Sequence, residues 1–189
     1  LPRLQPELRE MVTGDILDML GQGRLDAAVI AVDVDLRRAV AIPMYDEPLV
    51  VLVPENHPWA GRTDVETDEL EDQQLLLLDE GNCLRDQTLA LCQRYSTRPP
   101  AAVATTLSTV VRMVSHGVGI TVIPEGALRM LDGVDYAVAR FAGPGPVRRI
   151  GVVRRTSSSR GADFVRLADS LTRLAVEAGL PMLPVQPRE

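Results

Sequence analysis

Aromatic residues are scarce in this 189-residue chain: one Trp, three Tyr and two Phe, 3% in all. Leu, Val, Ile and Ala must therefore fill the core. A hydrophobic content of 46% supplies enough of them for one compact unit or two small lobes. Positive charge is short as well. The formal net charge of −6 leaves no basic footprint with which to grip nucleic acid. No apolar run approaches the length of a membrane span, and no charged-then-apolar opening reads as a signal peptide. Histidine is limited to His57 and His116. With the two cysteines they still lack the close-spaced ligand pair of a zinc site, so no metal or other cofactor is expected.

What is present centres on residues 81–92, which hold both cysteines. Asp79-Glu80-Gly81-Asn82 is turn chemistry, with Gly81 free to go left-handed and Asn82 a good N-cap. Cys83 then falls in the first turn of a helix, where unpaired N–H groups and the helix dipole favour a thiolate. Arg85 adds positive charge nearby. Cys92 follows nine residues later. Two positions so spaced in an intact helix are about 13 Å apart, on opposite faces. A disulfide requires Cα atoms within roughly 4.4–6.8 Å, so the pair cannot be bonded while that helix is intact. Packing is the competing role, above all for Cys92, which follows Leu89 and Leu91. Two cysteines in so reactive-looking a context fit a reducing cytoplasm, where disulfides are transient and regulatory.

Elsewhere, short apolar runs read as buried strands: 25–31, 39–44, 49–54, 74–78, 101–104, 119–124 and 150–153. Helical spacing appears between them. Thr13 caps a helix through Leu20 that Gly21-Gln22-Gly23 ends; residues 67–70 form a short capped helix. A helix from Thr105 closes at Gly117, and an amphipathic one spans 159–178. Tyr45-Asp46-Glu47-Pro48 interrupts two strands as a turn or a crossover, and Gly143-Pro144-Gly145-Pro146 is a second candidate crossover. Strands alternating with helices imply an α/β fold with largely parallel sheets, in two interleaved lobes.

The segment Gly-Asn-Cys-Leu-Arg-Asp-Gln, with its second Cys nine residues after the first, resembles the redox segment of the OxyR family of LysR-type transcriptional regulators. That family usually has His at the place of Asn82, though Asn can still donate a hydrogen bond. Asp46-Glu47-Pro48 followed by a strand and His57-Pro58-Trp59 is similar to the family pattern. So is the stretch from Leu107 to Pro124. The resemblance covers nearly the whole chain and implies two interleaved Rossmann-like lobes of the periplasmic-binding-protein type. Residues 1–45 with 148–189 would form one lobe, and residues 46–147 the lobe carrying the redox segment. Nothing resembles the winged helix-turn-helix and linker helix with which the family begins, nor the full opening of its regulatory domain. The expectation is a regulatory-domain fragment.

The resemblance assigns roles. Cys83 would be the peroxide-reactive thiol and Cys92 the thiol that resolves its sulfenic acid into a disulfide. Arg85 either favours the thiolate or is an ordinary solvated arginine, and Asp86 either holds Arg85 or only complements the helix dipole. Thr13 matches a pocket-lining threonine of the family; capping is its other role. Thr106 and Ser108 offer hydroxyls to a ligand between the lobes, or cap their helix. Arg148 matches an arginine near the family's redox site, with Arg149 competing for the assignment. The implied partners are hydrogen peroxide, a homodimer or tetramer, a cellular thiol reductant, RNA polymerase, and DNA through an N-terminal winged helix-turn-helix outside this chain. Two readings compete with a regulator that is not an enzyme: a LysR-type sensor of an organic effector, and a thiol peroxidase.

Overall fold

The computed structural model describes residues 5–80, 83–92 and 100–186. The chain divides into two compact units, Leu1–Asp46 with Arg149–Glu189, and Glu47–Arg148.

In the first unit, helix α1 (Thr13–Gly21) leads into strand β1 (Ala27–Ala31). β1 pairs antiparallel with β7 (Val147–Arg155), Ile30 lying opposite Gly151. β7 lies between β1 and β2 (Ala39–Val53) in the sheet. Gly151 is required by this packing: a Cβ there would stand 2.8 Å from the Ile42 carbonyl oxygen of β2. Side chains alternate across a strand, so successive residues of β7 serve two cores. Val153 packs with Leu17 and Leu20 of α1 and with Ile30. Val152 packs with Phe164 and Ala168 of the long closing helix α4 (Gly161–Glu177).

The second unit continues β2, whose residues Leu49–Val53 are all buried. They pair antiparallel with β5 (Thr121–Pro124) and β6 (Ala137–Ala139). Beside them, β3 (Leu76–Leu78) and β4 (Ala102–Ala104) form a parallel pair. Helices α2 (Cys83–Cys92) and α3 (Leu107–Ser115) cover this region, α3 burying Val110, Val111 and Val114. Thr106 caps α3 by accepting from Thr109 N at 3.2 Å, and Gly117, at φ 75°, closes it. A 3₁₀ turn (Thr67–Asp72) precedes β3, and another (Glu125–Met130) follows β5.

Three local expectations change. The sheets are not largely parallel: β1/β7, β2/β5 and β2/β6 are antiparallel. Unbroken apolar runs report burial on both faces, and here helices and neighbouring strands bury both faces without imposing a direction. Tyr45–Pro48 is no turn, because β2 runs through it as one strand. Thr13 is not the cap of α1; Val12 holds that position and no side chain caps the helix. The short capped helix expected at 67–70 is present in 3₁₀ form, capped by Glu66, whose carboxylate and that of Glu69 form a reciprocal box.

Candidate redox site

β3 ends in a tight polar turn, with Asp79 Oδ1 accepting from Glu80 N at 2.8 Å. Gly81 and Asn82, the expected turn glycine and cap, lie outside the described residues. Cys83 is the first residue of α2 and Cys92 the last. Helical backbone thus separates the two sulfur-bearing positions along the whole element. At 1.5 Å rise per residue their Cα atoms are about 13 Å apart, well beyond disulfide reach.

The inner face of α2 is set by three residues. Leu84 (7% exposed) joins the core of the second unit, Thr88 is 2% exposed, and Leu91 packs on the same core. Thr88 satisfies its hydroxyl by donating to the Leu84 carbonyl at 2.8 Å. Apolar burial and an internal hydrogen bond therefore hold the middle of the helix, while its cysteines stand at the ends, where a helix frays most easily.

Arg85 is largely shielded, its side chain 19% exposed. Its Nη1 donates to the Leu78 carbonyl at 3.3 Å and its Nη2 lies 3.7 Å from Glu80 Oε1. The guanidinium is thus anchored at the junction of β3 and α2, within one turn of Cys83. The acid it meets is Glu80; Asp86 stands exposed in the first turn, where it complements the dipole.

Gln87 is a residue that sequence reasoning passed over. Both atoms of its carboxamide are buried, and neither has a hydrogen-bond partner among the described residues. It stands four positions after Cys83, on the same helix face. That spacing is the signal that would have found it. A buried amide left unsatisfied costs stability, which the packing around it must offset.

The remaining candidates separate. Thr106, Ser108 and Arg148 belong to the second unit with α2, while Thr13 and Arg149 belong to the first. Thr106 Oγ1 lies 3.0 Å from Ser108 Oγ and 2.9 Å from Thr109 Oγ1, so these hydroxyls chiefly serve one another and the cap of α3. Arg148 Nε and Nη2 both lie 2.7 Å from Glu47 Oε2. Arg149 is bound to Asp46, which holds its guanidinium protonated to above the ordinary arginine range. His116 is the C-cap of α3, and His57 Nδ1 accepts from Trp59 N at 3.1 Å. Among the described residues no group of three or more His, Cys, Asp or Glu could hold a metal ion.

Comparison with known proteins places this geometry. The model of the LysR substrate binding domain matches residues 1–175. A probable hydrogen peroxide-inducible genes activator from Mycobacterium avium is 41% identical over 176 residues, 92% of this chain and 57% of the relative. The chain thus spans little more than half the length of the curated relatives it matches. Among solved structures, a cysteine-to-serine mutant of Corynebacterium glutamicum OxyR, H2O2-bound, superposes with a TM-score of 0.85 at 37% identity, covering 95% of this chain and 60% of that one. The reduced form of the OxyR regulatory domain from Pseudomonas aeruginosa gives 0.67 at 34% identity, covering 86% of this chain and 79% of that one.

Proposed function

The chain belongs to the OxyR branch of the LysR substrate-binding family, and from that premise we propose that it is the peroxide-sensing regulatory domain of a transcriptional activator. The observation that carries the reading is the placement of Cys83 and Cys92 at opposite ends of one helix, with Arg85 in the first turn anchored to the Leu78 carbonyl.

The chemistry follows from that placement. The Cys83 thiolate, favoured by the helix N-terminus and by Arg85, attacks one oxygen of hydrogen peroxide. The O–O bond breaks, the sulfur becomes a sulfenic acid, and the other oxygen leaves as water after taking up a proton. Cys92, as thiolate, attacks the sulfenic sulfur; the S–S bond forms and the second oxygen leaves as water. One peroxide and two thiols give one disulfide and two waters. A cellular thiol reverses the step by exchange. Gln87 positions the peroxide, and Asn82 supplies a further donor in place of the family's usual histidine. Arg148, Thr13, Thr106 and Ser108 act at most as outer polar residues, because the first is neutralised by Glu47 and Thr106 serves a cap.

The consumption is stoichiometric, so the domain is a sensor and not an enzyme. In the whole protein, refolding of α2 repacks an interface of a homodimer or tetramer, and a winged helix-turn-helix outside this chain reads DNA and meets RNA polymerase. Such a protein works in the cytoplasm.

A thiol count before and after one equivalent of peroxide tests the reading. Loss of two thiols per chain, with no further peroxide consumed when a dithiol reductant is withheld, supports it. Unchanged thiols would favour an organic-effector sensor. Rapid, continued consumption with reductant supplied would favour a thiol peroxidase.

A further inference from the structure

Beyond α4 the chain turns back onto the first unit. Leu183 forms an antiparallel bridge with Asp46: Asp46 N donates to Leu183 O at 3.0 Å, and Leu183 N to Asp46 O at 2.7 Å. Three residues later, Gln186 N donates to Asp46 Oδ2 at 2.9 Å, and the Gln186 carbonyl accepts from Arg149 Nη2. Arg149 itself holds both carboxylate oxygens, Nε to Oδ1 at 2.7 Å and Nη2 to Oδ2 at 2.9 Å. Asp46 is wholly buried and Arg149 is 8% exposed. The pair joins β2 to β7 at the last residue of the first unit on one strand and at its first returning residue on the other.

A buried ion pair repays its desolvation only when its remaining lone pairs and protons are also bonded. Here the tail supplies one donor and one acceptor to that end. Its apolar side chains are covered only in part: Leu183 is 37% exposed and Val185 38%. A segment with no fully buried apolar side chain opens at lower cost than the core beneath it. Pro184, between the two points of attachment, restricts the free tail and reduces the entropy lost on docking.

We propose that residues 183–186 form a releasable strap over the Asp46–Arg149 pair. Docked, it completes the pair and stiffens β2 and β7 where each passes from one unit to the other. Released, through cleavage of the tail or its capture by another protein, it admits water to the pair and loosens those strands while the cores stay folded. The segment that follows α4 is thereby a control point distinct from the cysteine helix, and it does not depend on the peroxide reading.

Hydrogen exchange on the full chain, on Gln186→Pro and on a chain ending at Met182 tests the strap. The reporters are amides that the tail does not touch: Arg149 N, bonded to Asp33 Oδ2 at 2.9 Å, and Val32 N, bonded to Arg149 O at 2.8 Å. Both should exchange on the order of tenfold faster in the two variants, as expected of a local opening. The β1 amides of Ala28 and Val29 and the circular dichroism should match the parent chain. Unchanged reporters would overturn the proposal, since the pair would then be self-sufficient. Loss of protection throughout β1 and α4 would overturn it as well, since the tail would then be an ordinary part of the fold. Limited proteolysis of the parent chain gives a second reading: the first cut should fall within 181–186, and a first cut inside α4 would count against release.

Discussion

Thr88 Oγ1 donates to the carbonyl of Leu84 at 2.8 Å, and both side chains lie buried between the two cysteines of α2. Any movement that brings Cys83 and Cys92 within disulfide reach must unwind part of the helix around this bond, because the Cα separation has to fall from about 13 Å to under about 7 Å. Oxidation is therefore expected to unwind one to two turns of α2. Hydrogen exchange on the reduced and oxidised chain should show residues 83–92 losing helical protection, while β3 (Leu76–Leu78) keeps its own. Unaltered protection across α2, with the disulfide confirmed by mass, would refute a local refolding switch.

The two thiols should differ in reactivity. Cys83 opens the helix, where its dipole is positive, and Arg85 of the same turn is held by Leu78 and Glu80. Cys92 closes the helix, where the dipole disfavours an anion. Limited alkylation near neutral pH, followed by peptide mass analysis, should find Cys83 modified first. Equal labelling, or a preference for Cys92, would remove the basis for assigning the peroxide-reactive role.

Much of this architecture was legible in the residues, and the misreadings have physical causes. Alternating strands and helices, with polar breaks near residues 46 and 146, pointed to an interleaved α/β fold. Strand direction was not legible, because burial on both faces looks alike in either direction. Asp46-Glu47-Pro48 read as a turn or a crossover because two acids and a proline rarely sit inside a strand. Their partners are Arg149 and Arg148, 103 and 101 residues away, and only the folded chain brings them together. The cysteine helix was readable because its signals are local. The spacing of Gln87 from Cys83 was equally local, but its unsatisfied amide is a property of its surroundings and shows only in the fold.

Gly119 carries a strict steric requirement. A Cβ there would lie 2.2 Å from the Gln74 carbonyl oxygen, which already accepts from Ile120 N at 2.8 Å. Gly119→Ala must displace backbone at the bridge between Leu75 and Ile120, and should cost about 1–3 kcal/mol in chemical denaturation. Gly14 is the control, since no atom of the described residues lies within 4 Å of a Cβ there. Gly14→Ala, inside α1, should leave stability unchanged or raise it. A cost for Gly119→Ala no larger than for Gly14→Ala would contradict the close approach.

Acid should weaken the corner around Glu69. Arg62 holds this carboxylate at 2.9 and 3.0 Å and Glu66 N donates to it at 2.9 Å, keeping its pKa below the usual range. A carboxylate depressed in the folded state contributes stability that is present above its unfolded pKa of about 4.3 and lost as pH falls through the folded value. Glu69→Gln should thus be less stable than the parent at pH 6, with the gap narrowing as the pH approaches 3. Solvent screening keeps the effect small. Melting curves at both pH values check the sign; a gap that widens in acid would reverse the assignment.

Gln87 separates a structural role from a functional one. Its buried carboxamide has no hydrogen-bond partner among the described residues, and such a group costs roughly 1–3 kcal/mol relative to a satisfied one. Met is close to it in length and flexibility and buries no polar atom. Gln87→Met should therefore be as stable as the parent or more so. If the carboxamide positions peroxide at the cysteine one turn before it, the same variant should oxidise more slowly at Cys83, by up to about tenfold for one lost hydrogen bond of about 1.4 kcal/mol. Chemical denaturation and stopped-flow oxidation of one preparation give both numbers. A variant that loses stability but keeps the parent's rate would place Gln87 in the packing of α2 and take it out of the reaction.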